Sequence, residues 1–251
     1  MNLGTGLLLG GAGVLAGAFN AVAGGGSLIS FPALLAAGYG SVTANVTNTV
    51  ALWPGYLGGA VGYRKELAAD VRRLTILGAV SVVGSAIGSL LLLTAPAATF
   101  TALVPWLILG ATAIFAVQPL LAAKVAQRRE AGHRDRGAWV YLGVLLSSVY
   151  GGYFGAGLGI MLLGVLGTLL PLGLQAINGL KNALSLAINT LAMIAFVIFG
   201  PVAWLPVVIM AVASLLGGYV GARIARRLPV RVLRTAVIVF GTVVGLKLLF
   251  W

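Results

Sequence analysis

The residues best placed to do chemistry lie between Gln175 and Thr190, in the run QAINGLKNALSLAINT. Lys181 is the one charged residue between Arg136 and Arg223. An ammonium group at membrane depth is costly, by roughly 2.5–3.5 kcal/mol on insertion scales, and so faces a cavity or a partner. On a helix advancing 100° per residue, with Lys181 at zero, Ser185 falls at about 40° and Asn178 at about 60°. Asn189 falls at about 80° and Asn182 at about 100°. The strongly polar side chains thus share one arc, and Leu, Ala and Ile fill the other side. A cation beside amide and hydroxyl donors, with no acid to neutralise it, is the chemistry of anion binding through charge-assisted hydrogen bonds. Snorkelling of the long stem toward the interface is the structural alternative for Lys181.

Glycine clusters supply the second set of candidates. Gly24, Gly25 and Gly26, followed by Ser27, interrupt one apolar region, and Gly155, Gly157 and Gly159 interrupt another. Glycines at a helix break can expose backbone N–H groups and helix N-termini to an anion. They can also serve only close packing or a kink. A dinucleotide fingerprint does not fit, because no strand precedes the glycines and no acid follows them.

These groups must be positioned by membrane helices. The chain has 251 residues, 60% of them apolar and only 8% charged. Its apolar runs recur near the length needed to cross a hydrocarbon core of about 30 Å. The expected class is an all-α polytopic membrane protein, since the short alternating strands of a β-barrel are absent. There is no cysteine, hence no disulfide or thiolate chemistry. The net charge of +12 comes from basic residues clustered in short loops, as positive-inside topology requires, and does not call for nucleic acid. Met1-Asn2 offers no basic region of the kind that opens a signal peptide.

In order along the chain, helices are expected at about 5–23, 28–37, 43–63, 71–94 and 100–122. The second of these spans only about 15 Å and stops inside the membrane. Gly84-xxx-Gly88 on the fourth is a close-packing signal. A basic linker covers 124–137, and His133 within it is read as solvated. At an offset of about 133 residues Gly24 matches Gly157, Gly26 matches Gly159 and Gly40 matches Gly173. Asn45 matches Asn178, and Gly84 and Gly88 match Gly217 and Gly221. The chain therefore reads as a duplication, with residues 1–123 as an N-terminal transmembrane repeat and 138–251 as the C-terminal one. Asn48 is then the counterpart of Lys181 and Thr49 that of Asn182, so Asn45, Asn48, Thr49 and Tyr56 form the first half's own polar arc.

Basic loops at 64–73 and 124–136 are cytoplasmic by the positive-inside rule, and the second half carries its basic cluster at Arg223, Arg226, Arg227, Arg231 and Arg234. Charge at opposite ends of equivalent helices predicts inverted repeats, about five helical segments each, with broken or re-entrant helices at the glycine clusters and both termini outside. Under such a duplication Asn45, Asn48 and Thr49 should face Asn178, Lys181 and Asn182 across one cavity. All four acids, Glu66, Asp70, Glu130 and Asp135, lie in the basic loops. The membrane core thus offers anion-binding groups without a carboxylate for proton relay, Na⁺ binding or general acid–base work.

The chain resembles the sulfite exporter TauE/SafE family. The residues that carry the resemblance are AGAFNAVAGGGSLISFPALLAAG and TANVTNTVAL in the first half, then YGGYFGAGLGIMLLGVLG and ASLLGGYVGARIARRLP in the second. It covers nearly the whole chain. It departs from the family at Gly157-Leu158-Gly159, where a triple glycine is common, and at Lys181, where small or hydroxyl residues are common. The resemblance implies a multi-pass permease of the bacterial inner membrane that exports sulfite, sulfoacetate or related sulfonates and needs no cofactor. Substrate-binding candidates are Lys181, Asn182, Asn178, Ser185, Asn45, Asn48, Thr49, Gly25, Gly26, Ser27, Gly157 and Gly159. The alternative from another class is an intramembrane enzyme acting on an anionic lipid head group. Neither reading fixes the oligomeric state, and a homo-oligomer stays open.

Overall fold

The computed structural model describes residues 2–22, 25–62, 67, 70–130, 137–224 and 230–250. Among these, every regular element is an α-helix. They are α1 (Leu3–Val22), α2 (Ser27–Ala36), α3 (Ser41–Gly62), α4 (Val71–Thr94), α5 (Ala97–Glu130), α6 (Gly137–Tyr153), α7 (Leu158–Leu169), α8 (Leu174–Phe199), α9 (Trp204–Ile224) and α10 (Val230–Phe250). The charged positions Arg64, Lys65, Glu66, His133, Arg134, Asp135, Arg136, Arg226 and Arg227 lie outside the described residues.

Most helix bounds follow the apolar runs within two residues. The exception is α5, which continues to Glu130 instead of stopping near residue 122. Its extension, Ala123 to Glu130, is made of good helix formers apart from Val125, and these continue a helix even after apolar character ends. Helix α2 has 10 residues and α7 has 12, about 15 and 18 Å, too short to cross. Helix α4 starts on Asp70, whose carboxylate accepts the Arg73 N–H at 3.0 Å as a side-chain N-cap.

The exterior is apolar, and small residues mediate the helix contacts inside. Leu90, Trp106, Leu146, Phe199 and Leu216 are exposed, whereas α4 buries Ser81, Gly84, Ser85, Gly88 and Ser89. Lipid tails are as apolar as leucine, so helix contact selects small residues that let backbones approach. A Cβ on Gly17 of α1 would sit 1.9 Å from the Ser214 carbonyl oxygen on α9. One on Gly88 of α4 would sit 2.0 Å from the Val149 carbonyl oxygen on α6.

The most extensive contacts are α1 with α9 and α4 with α6. Next come α4 with α8 and α5 with α10, then α3 with α8 and α3 with α9. Two of these crossings are antiparallel. Val46 of α3 lies by Gly200, and Trp53 of α3 donates to Thr190 of α8 at 2.9 Å. On α5, Thr112 meets Gly241 of α10 and Leu109 meets Gly245.

Candidate functional site

The first break is built around two glycines. Gly25 has φ +95°, a conformation that costs an L side chain and suits glycine. The Gly26 N–H donates to the Asn20 side-chain oxygen at 2.8 Å, which ties the end of α1 to the start of α2. Ser30, one turn into α2, donates to the Asn48 amide oxygen at 2.5 Å. Ser27, Ser30 and Asn48 are all buried, so this rim is neutral and internally hydrogen-bonded.

The second break has two left-handed glycines, Gly155 with φ +77° and Gly157 with φ +75°, the latter capping α7. The Tyr150 hydroxyl donates to the Ala156 carbonyl at 2.6 Å and closes the loop from inside. Lys181 meets this break through its stem. A Cβ placed on Gly159, in the first turn of α7, would lie 3.8 Å from Lys181 Cδ. Lys181 is half-buried, and among the described residues its ammonium makes no hydrogen bond or ion pair.

Both breaks converge on one turn of α5. A Cβ on Gly25 would lie 3.1 Å from the Phe115 ring, and one on Gly157 would lie 3.7 Å from Ala111 Cβ. Sequence reading assigned α5 no part in the site, and its apolar side chains give no polar signal that could have done so. An aromatic cluster closes the same region: Phe31 of α2 stacks edge-on against Phe154 of the second break at 5.2 Å, and Phe100 packs on Tyr153 at 5.4 Å.

Asn45 crosses between the halves. Its amide donates to the Tyr153 carbonyl at 2.9 Å, while its side-chain oxygen is buried without a partner among the described residues. Thr49 turns back to the Asn45 carbonyl, and Asn189 to that of Ser185. Ser185 is buried, and Asn178 and Asn182 are half-buried on the face of α8 that carries Lys181.

The expected facing of the two polar triplets is not what the crossing of α3 and α8 gives. Asn48 precedes Trp53, and Lys181 precedes Thr190, its bonded partner. In an antiparallel pair, residues that precede the crossing on both helices lie on opposite sides of it. Asn48 and Lys181 therefore reach the central region separately, each through the break of its own half.

The Haemophilus influenzae protein named "Probable membrane transporter protein" is 27% identical over 241 residues, covering 95% of this chain and 92% of that one. The "Probable membrane transporter protein YfcA" of Escherichia coli K12 is 27% identical over 239 residues, covering 94% and 87%. A Sinorhizobium relative, "Probable membrane transporter protein ORF9", is 24% identical over 237 residues, covering 94% and 88%. No solved structure matches the chain. All three relatives are named as probable membrane transporters, which favours transport over the intramembrane-enzyme alternative. The model of the family described as "Sulfite exporter TauE/SafE" matches residues 9–248. On that match and this all-helical architecture, the chain belongs to the sulfite exporter TauE/SafE family of membrane transporters.

Proposed function

We propose that this transporter exports small sulfur-containing anions, of the class of sulfite, sulfoacetate and related sulfonates. The anion is held where the two glycine breaks meet, with Lys181 as its countercharge. The observation that carries this reading is the placement of the Lys181 stem on Gly159. It puts an ammonium without a partner among the described residues beside the start of a helix, whose N-terminal N–H groups and dipole also favour negative charge. Asn178, Asn182 and Ser185 on the same helix face supply further donors.

The two halves, residues 1–123 and 138–251, work as inverted repeats joined by the 124–137 linker. Support comes from reciprocal packing. Helix α1 pairs with α9 as α4 pairs with α6, and α4 meets α8 as α9 meets α3. The helices that pair with their own counterparts, α3 with α8 and α5 with α10, run antiparallel. A two-fold axis that makes equivalent membrane-crossing helices antiparallel lies in the membrane plane, the symmetry of inverted-repeat transporters.

Export needs no proton relay in this scheme. An anion leaving a cell that is negative inside gains about 2.3 kcal/mol per charge per 100 mV. A dianion gains about twice that, enough to sustain a gradient of about three powers of ten. The test is flux of labelled sulfite and sulfoacetate in proteoliposomes with a valinomycin-clamped potential and no pH gradient. Flux that follows voltage is expected. Flux that ignores voltage and requires a pH gradient overturns the uncoupled export reading.

A further inference from the structure

Away from the glycine breaks, a cavity of about 360 Å³ opens between the starts of α4 and α6 and the end of α7. Asp70, Arg72 and Arg73 form its polar rim. We propose that this cavity is a binding site for the phosphate head group of an anionic phospholipid, with Arg72 and Arg73 as its anion contacts. The inference stands apart from the transport reading, because it uses none of the residues assigned to substrate.

The charge distribution favours an anion. Asp70 is committed twice over, as N-cap to the Arg73 N–H and as ion-pair partner to the Arg73 guanidinium at 3.4 Å. Arg72 is exposed and, among the described residues, forms no ion pair.

The floor decides between a lipid and a substrate vestibule. Leu77, Val140 and Leu170 line the cavity and belong to a packed apolar cluster that includes Leu158, Leu166, Leu184 and Ile188. That cluster fills the space between the cavity and the second break. A hydrated anion entering from this side meets a leucine wall, so the cavity is a dead end for transport. A phospholipid needs no exit. Its head group sits against the arginines while its chains stay in the bilayer. Arg72 and Arg73 lie in the first turn of a 24-residue membrane helix, which places them at head-group depth. On the other flank of α6 an apolar groove of about 400 Å³, lined by Trp139, Leu142, Leu146 and Leu169, offers a surface for acyl chains. Tyr141 and the exposed Trp139 mark the same level, where amphipathic rings settle at the interface. The rim lies on the side that positive-inside topology makes cytoplasmic, the leaflet whose anionic lipids attract basic groups.

The test is native mass spectrometry and thermal unfolding of the full chain in nanodiscs of phosphatidylcholine, with and without phosphatidylglycerol. The wild type should retain phosphatidylglycerol and unfold at a higher temperature in its presence. Arg72→Gln combined with Arg73→Gln should weaken that retention by about thirtyfold, since each basic residue near an anionic surface contributes about fivefold. Lys247→Gln, at the exposed end of α10, should change nothing. Equal retention by the wild type and the double variant overturns the proposal. So does full stabilisation by inorganic phosphate in pure phosphatidylcholine, which would make this a site for a free anion. If the double variant does not fold, arginine-selective dicarbonyl labelling of the wild type decides. Arg72 should be protected by phosphatidylglycerol and not by phosphatidylcholine, and identical labelling in both overturns the lipid site.

Discussion

The two glycine breaks, one before α2 and one before α7, are finished differently. At the first, Gly26 is wedged against α1, where an added Cβ would lie 2.2 Å from the Ala16 carbonyl oxygen. At the second, the matching Gly159 has room, with Lys181 Cδ at 3.8 Å as its nearest neighbour. The first rim is neutral and satisfied within itself through Ser30 and Asn48. The second carries the cation and is backed by leucines. On the proposed duplication, the difference teaches that two related breaks can divide their labour, with one held rigid by backbone contact and the other left open to place a charge.

The largest effect expected from this contrast is structural. Gly26→Ala drives a methyl into backbone that cannot yield as a side chain can. It should destabilise the protein by about 3 kcal/mol or prevent insertion, read as loss of the monodisperse peak and a lowered Tm. Lys181→Met should leave the fold intact and weaken sulfite or sulfoacetate binding about tenfold or more, as measured by equilibrium binding, because a charge-assisted hydrogen bond contributes roughly 1.5–3 kcal/mol. Unchanged affinity would show that Lys181 snorkels and that the countercharge lies elsewhere. Asn48→Ala removes the acceptor of the Ser30 hydroxyl in a buried place and should cost about 1 kcal/mol of thermal stability. It should affect affinity far less than the change at Lys181. The smallest effect belongs to Gly159→Ala, which should fold with stability within about 0.5 kcal/mol of wild type. If Gly159→Ala proved as damaging as Gly26→Ala, the contrast between a rigid and an open break would fail.

Much of the fold was legible because lipid imposes a coarse code. Apolar runs of membrane length, glycine interruptions and basic loops located the helices of the first half, and the α4 span matched to the residue. Lys181 was visible because a lone charge in an apolar region stands out. What the chain did not reveal was partnership. Helical period identifies the face a residue occupies and says nothing of what that face meets. Asn45 reaching the Tyr153 carbonyl of the other half depends on the relative placement of α3 and α6, which no local pattern encodes. The same holds for Ala111 and Phe115, apolar residues on an apolar helix that become the common floor of both breaks. The separation of Asn48 from Lys181 also escaped the repeat argument. Under the proposed inverted repeat, equivalent residues coincide only near the symmetry axis, and the antiparallel crossing of α3 and α8 near Trp53 and Thr190 is the place for it.

The reciprocal pairing of α1 with α9 and α4 with α6 also bears on how the protein is made. The glycine face of α1 is shaped for Ser214, a residue that follows Gly17 by about four-fifths of the chain. At synthesis rates of about 5–20 residues per second, α1 waits roughly 10–40 s in the bilayer before its partner emerges. Through that interval a groove of small residues is open to lipid and to any passing helix. The first half therefore cannot mature as an independent unit, and assembly is completed only when the last helices of the second half arrive.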